Sequence, residues 1–160
     1  MMKNEHGFSL VELLIVVAII AIIAAIAVPS LLTSRQAANE ASAIQGCRTI
    51  ASAEIAYAAT NNQMFTDLAT LGATTAGYLD SRFTASANII NGYTYDVGEV
   101  PVVVGGALPT GWEFVATPQT GMGRFSYGIA PDMVVRWVAE FGDATFPGSV
   151  QGGDPIGKGN

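Results

Sequence analysis

One carboxylate stands where carboxylates are costly. From Leu13 to Val28 every residue is apolar, and the run extends from Phe8 to Leu32 with only Ser9, Glu12, Pro29 and Ser30 interrupting it. A charge inside a membrane segment costs at least about 2.5–3.5 kcal/mol near the helix centre, so it usually marks function. Glu12 lies near the leading end of the run, where snorkelling to the interface is the competing reading. Elsewhere, residues of catalytic type are sparse. There is one histidine, His6, and one cysteine, Cys47. A zinc site needs clustered His or Cys ligands, and none cluster. Gly105-Gly106 follows the strand-like Val102-Val103-Val104, but no helical pattern follows it, so it fails as a phosphate-binding loop. Asp132, Asp143 and Asp154 could offer oxygens to calcium, but no ligand spacing matches well. Solvated turn carboxylates are the stronger reading. The residues therefore predict no catalytic group, no metal and no cofactor.

The elements that must position Glu12 follow from composition and periodicity. The chain has 160 residues, enough for one domain with a modest core. Half of it is hydrophobic, only 12% is charged, and mean hydropathy is +0.39. The excess sits near the N-terminus, which points to a membrane segment rather than an unusually apolar globule. A run of about 20 apolar residues spans a bilayer core, and this one is long enough. A buried soluble helix would need more protein around it than the rest of the chain supplies. A secretory signal peptide would have a shorter apolar core and no carboxylate at its leading end. Net charge is −6 with a sequence pI of about 4.5, and the seven Lys and Arg are scattered. That disfavours a nucleic-acid binder, whose footprint would be a basic patch, and we expect no nucleic-acid partner. With one cysteine no intramolecular disulfide can form.

Gly7-Phe8-Ser9-Leu10-Val11-Glu12, followed by the apolar run and Pro29, resembles the type IV prepilin signature, shared with the major pseudopilins of type II secretion. The resemblance covers about the first third of the chain. It implies cleavage between Gly7 and Phe8 by a membrane prepilin peptidase that also methylates the new N-terminus, making Phe8 N-methylphenylalanine. It implies that Glu12, fifth in the mature chain, acts in assembly, where the family's glutamate meets the N-terminal amine of a neighbouring subunit. The implied partners are the peptidase/methyltransferase, identical and related pilin subunits in a homopolymer filament, an inner-membrane assembly platform and the lipid bilayer. The physics fits. Gly7 has no side chain, so a protease can approach the backbone closely. Lys3 in the short leader favours keeping that end cytoplasmic. The head would then lie outside the cytoplasm, first on a single-pass inner-membrane anchor and later in a pilus or a periplasmic pseudopilus. His6, the sole histidine, would leave with the leader, which excludes a mature Ser-His-Asp or Cys-His arrangement. The paired-cysteine C-terminal loop of many adhesive pilins is missing, so pilus and pseudopilus both stay open.

Beyond Pro29 the helical pattern continues but becomes amphipathic. Ile44, Cys47, Ala51, Ile55 and Ala58 mark one face, while Arg35, Gln36, Asn39, Glu40, Gln45, Thr49, Ser52 and Glu54 supply polar positions elsewhere. A helix from Phe8 to Thr60 would be about 80 Å long at 1.5 Å per residue. Asn61-Asn62 looks like its stop. Pro29 is expected to kink it or open one turn, because it lacks an amide proton and clashes with the preceding turn. Cys47 reads as a small packed side chain rather than a reactive thiol. Thr66 to Leu71 suggests one helical turn, with Thr66 or Asp67 as N-cap and Gly72 as stop. Leu79 to Phe83 suggests another short turn.

From Gly92 the period switches to two. Strand patterns follow around Tyr93–Val97, Trp112–Ala116, Phe125–Ile129 and Val134–Ala139, separated by Gly- and Pro-rich turns. The expected fold is α+β: a long N-terminal helix, membrane-spanning in its first half and amphipathic in its second, packed on a small antiparallel sheet of about four strands through an aromatic face. The expected organisation is a leader (1–7), a membrane or filament-core segment (8–32), an amphipathic half-helix (33–61), a connecting loop (62–91), the sheet (92–141) and a loose C-terminal tail (142–160). The scarcity of catalytic groups favours a structural filament subunit over a membrane-tethered enzyme. The absence of a basic loop disfavours a DNA-uptake module.

Overall fold

A computed structural model describes residues 8–73, 77–84, 89–97, 112–139 and 154–156. The chain divides into two compact units, Met1–Arg35 and Gln36–Asn160. One helix, α1 (Leu10–Thr60), supplies the described part of the first unit and the opening of the second. Within the first unit its side chains are exposed throughout, including Ile26 at 74% and Leu31 at 68%. Among the described residues α1 is the helix long and apolar enough to cross a membrane.

The second unit is a head built on the later turns of α1. The helix ends where Asn62 and Gln63 enter the left-handed region, at φ 53° and 61°. The Gln63 amide returns to the Ala58 carbonyl at 2.9 Å, which satisfies an otherwise orphaned acceptor. Two short turns follow. In α2 (Leu68–Leu71), Asp67 rather than Thr66 is the N-cap, accepting from the Thr70 amide at 2.7 Å, and Gly72 closes the turn. A 3-10 turn at Ser81–Phe83 is capped in the same way by Asp80.

The sheet is an antiparallel meander of six strands in chain order: β1 (Ile89–Ile90), β2 (Tyr93–Val97), β3 (Phe114–Pro118), β4 (Ser126–Ile129), β5 (Arg136–Val138) and β6 (Asp154–Pro155). The register places Tyr95 opposite Ala116, Phe114 opposite Ile129, and Ala116 opposite Tyr127. Because strand side chains alternate, these residues share one face. That face carries Tyr93, Tyr95, Phe114, Tyr127 and Ile129 into a core with Ala43, Cys47, Ile50 and Ala51 of α1.

The structure corrects two expectations. Among the described residues the sheet has six strands, not about four. The two extra ones, β1 and β6, are two residues long, too short to generate an alternating pattern. They fall in stretches expected to be loop and loose tail: the hairpin partner of Tyr93-Thr94 makes β1, and pairing with Arg136-Trp137 makes β6. The sheet's second face is covered as well. Val115 and Ala130 are buried and pack with Val138, and Glu113 and Ser126 are buried too.

The buried face of α1 is the second correction. It comprises Glu40, Ala43, Gly46, Cys47, Ile50, Ala51, Ala53 and Glu54. Cys47 and Ala51 were expected there. Ile44 and Ala58 are only half-buried, and Ile55 is 51% exposed. Two glutamates expected to be solvated are inside. The reason is local. Gly46 is the helix position without a side chain, and the Tyr95 ring sits over it, so an added Cβ would lie 2.2 Å from the Tyr95 hydroxyl. The sheet docks along that gap rather than along the most apolar line of the helix.

Candidate assembly site

The N-terminal site is built at the first turn of α1. Phe8 is 84% exposed and precedes the helix. The Ser9 carbonyl accepts from the Leu13 amide at 3.3 Å, and the Ser9 amide donates to Glu12 Oε2 at 2.9 Å. Ser9-Leu10-Val11-Glu12 has the serine-x-x-glutamate spacing of a capping box, in which a glutamate at the third helical position reaches back to the N-cap amide. Reading Glu12 only as a charge in an apolar run misses this bond, although the spacing was visible in the sequence. Glu12 thus has an acceptor role inside its own helix, and its carboxylate also suits the positive end of the helix dipole. Gly7, the expected cleavage position, lies outside the described residues.

Pro29 stands inside α1, and the helix continues on both sides of it. Proline removes one amide donor from the ladder. Just beyond it, hydroxyls turn back onto the backbone: Thr33 Oγ1 donates to the Ser30 carbonyl at 2.9 Å, and Ser34 Oγ donates to the same carbonyl at 2.9 Å. Polar side chains in this weakly apolar turn are therefore satisfied by the helix itself.

In the head, α1 is strapped to the β3–β4 turn by side chains that pattern reasoning placed on the solvent side. Gln36 Nε2 donates to the Gly121 carbonyl at 3.1 Å, and Asn39 Nδ2 to the Met122 carbonyl at 2.8 Å. Glu40 receives three bonds from Arg124: the backbone amide at 2.9 Å and Nε at 3.0 Å to Oε1, and Nη2 at 2.9 Å to Oε2. Burial pushes the Glu40 carboxyl up, but the Arg124 bonds and charge outweigh it and hold the group below the usual carboxylate range. No local spacing relates residue 40 to residue 124, so only the folded chain reveals the pair.

The remaining candidates are structural. Cys47 is fully buried, and desolvation raises its thiol pKa to about 12, far from the thiolate that reactivity needs. Asp132 is engaged by Arg136 through both carboxylate oxygens, with the Val134 amide at 3.1 Å. The guanidinium holds it below the usual carboxylate range. Asp154 lies in β6, and Asp143 is outside the described residues. Among the described residues no group of three or more His, Cys, Asp or Glu could hold a metal ion.

Comparison with known proteins agrees with this anatomy. The family described as the prokaryotic N-terminal methylation motif matches residues 2–28. The chain is 34% identical over 126 residues to the type IV wide pilus major component PilA4 of Thermus thermophilus, a match covering 76% of this chain and 88% of that protein. An N-terminal methylation motif leading an exposed apolar half-helix, a meander packed on the amphipathic half, and similarity along most of a pilus component together place the chain in the type IV pilin family.

Proposed function

We propose that the protein is the main structural subunit of a type IV pilus, matured by cleavage between Gly7 and Phe8 and by methylation of Phe8. The segment from Phe8 to Leu32 anchors the precursor in the inner membrane as a single pass, with the head outside the cytoplasm, and then forms the filament core. A prepilin peptidase/methyltransferase and an inner-membrane assembly platform are the partners this route requires. The observation that carries the reading is the first half of α1, apolar and exposed along its whole length, beginning inside a methylation motif. So much exposed apolar surface marks an interaction or membrane site. Lipid can cover it before assembly, and the same helices of other subunits can cover it afterwards. A role as secretion pseudopilin has no observation of its own in support, since the relative matched along most of the chain is a pilus component.

Intact-mass measurement of protein extracted from membranes tests the maturation. The expected mass is that of residues 8–160 plus one methyl replacing a hydrogen. A chain starting at Met1, or after Ala27, would remove the reading. Electron microscopy of sheared surface material, with an antibody to the head, tests the filament.

A further inference from the structure

Glu54 is the second buried glutamate of α1, and it differs from Glu40 in having no cation bonded to it among the described residues. Its relative exposure is 0%. Among the described residues, the hydrogen-bond donor on its carboxylate is the Thr66 backbone amide, at 3.4 Å from Oε1 and 3.3 Å from Oε2. Those distances exceed the usual 2.7–2.9 Å or so of a charge-assisted bond, so the amide compensates an ionised carboxylate poorly. The segment that supplies the amide folds back from the end of α1. It is held by Leu68 and Leu71, both buried, by Phe65 packed on the core, and by the Leu79 amide bonded to the Leu71 carbonyl. From that segment Asp67, the N-cap of α2, also faces Glu54, and its charge opposes a second negative charge there. On α1, the titratable side chains nearest along the same face are Cys47 and Tyr57, and neither supplies a positive charge.

We propose that Glu54 is a proton-sensitive latch on the segment 61–72: protonated, it stays inside and the segment remains docked on α1; ionised, it favours release of that segment. The physical reason is desolvation. A carboxylate in a dry site without a cation is strongly disfavoured, and the easiest relief is to open the short segment that covers it rather than the sheet. Buried uncompensated ionisable groups are uncommon unless they serve a function. The inference concerns the head alone and does not depend on the filament reading.

Burial raises the Glu54 pKa from 4.5 to about 7, partly offset by the Thr66 amide and reinforced by Asp67. The closed segment thus binds a proton more tightly than the open one. Closure is most favourable below the ordinary carboxylate range, weakens as pH rises toward 7, and levels off above it. If opening returns Glu54 to water, the opening constant rises roughly twenty- to thirty-fold between about pH 5.5 and pH 8.

The test is amide hydrogen exchange on the full chain in detergent micelles across that range, with each rate divided by the intrinsic rate at the same pH. Residues 65–71 are expected to show the rise while the α1 and sheet amides do not. Glu54→Gln, which keeps the size and loses the titration, is expected to flatten it. A flat wild-type profile, or the same rise in Glu54→Gln, would overturn the latch. Should the variant misfold, carbon NMR of the wild-type Glu54 carboxyl decides the matter. A midpoint near 7 supports the proposal, and one near 4.5 refutes it.

Discussion

Arg124 closes both carboxylate oxygens of Glu40 across 84 residues of sequence, with the carboxylate side chain 8% exposed and the guanidinium side chain 57% exposed. The asymmetry decides what each partner is worth. The arginine could hydrate on its own, whereas the glutamate could not.

Arg124→Ala should therefore destabilise the head by about 1–3 kcal/mol, because it strands a buried acceptor that keeps only a backbone amide. Glu40→Gln should cost less, since it retains the shape and can still accept that amide. The depressed Glu40 pKa gives a pH signature. Its contribution is present above the ordinary carboxylate range and is lost as pH falls through the lower folded value. Urea unfolding followed by tryptophan fluorescence should show wild type losing stability in acid more steeply than Arg124→Ala. Equal slopes would mean that the pair is ornamental.

Gly46→Ala sets two effects against each other. Alanine gains about 1 kcal/mol of helix propensity over glycine. The new Cβ, however, would sit 2.2 Å from the Tyr95 hydroxyl and 2.6 Å from Cζ in a packed core. Overpacking costs about 1–3 kcal/mol, so net destabilisation is expected. Adding Tyr95→Phe removes the closest atom and should restore part of the loss in a double-mutant cycle. A stabilised Gly46→Ala would show that the ring moves aside freely.

Cys47 should resist thiol reagents in the folded protein and react promptly in denaturant, because it is fully buried and desolvation keeps it protonated. The rate of disulfide-exchange labelling thus becomes a probe of head opening. Fast labelling without denaturant would contradict the packing of α1 on the sheet.

A fragment beginning at Ser30 should be soluble, monomeric and folded, since Gln36–Asn160 is a compact unit in its own right and the exposed apolar half-helix is gone. Circular dichroism should show helix and strand together. Aggregation under mild conditions would mean that the head requires another partner.

The proposed assembly role of Glu12 is separable from its capping bond. Glu12→Gln keeps an oxygen for the Ser9 amide but loses the charge, and Glu12→Ala loses both. If a neighbouring subunit's N-terminal amine is the partner, both variants should be processed at Gly7, stay in the membrane and assemble poorly. Breaking a buried charge pair costs about 3–5 kcal/mol. If the carboxylate serves only its own helix, Glu12→Gln should give normal filament yield while Glu12→Ala does not. A blot for processed subunit beside micrographs of sheared filaments distinguishes the two.

Much of this protein was legible in the sequence because its strongest signals are local. A run of apolar residues, a glutamate near its start, an N-cap three residues before a bonded amide and a period-two alternation each act within a few residues. The long helix, the short turns at Asp67 and Asp80, and four of the six strands follow from them. The rest required the folded chain. Which line of α1 faces the sheet was decided by the Tyr95 ring over Gly46, so Ile55 turns outward and Glu40 and Glu54 turn inward. The strands β1 and β6 exist only because neighbouring strands offer them unpaired edges. Glu40 and Glu54, two glutamates on one helix, acquire opposite chemistry because, among the described residues, one meets an arginine from a distant turn and the other an amide and an aspartate. Burial and partners separated by many residues set those outcomes, and composition and periodicity carry no record of either.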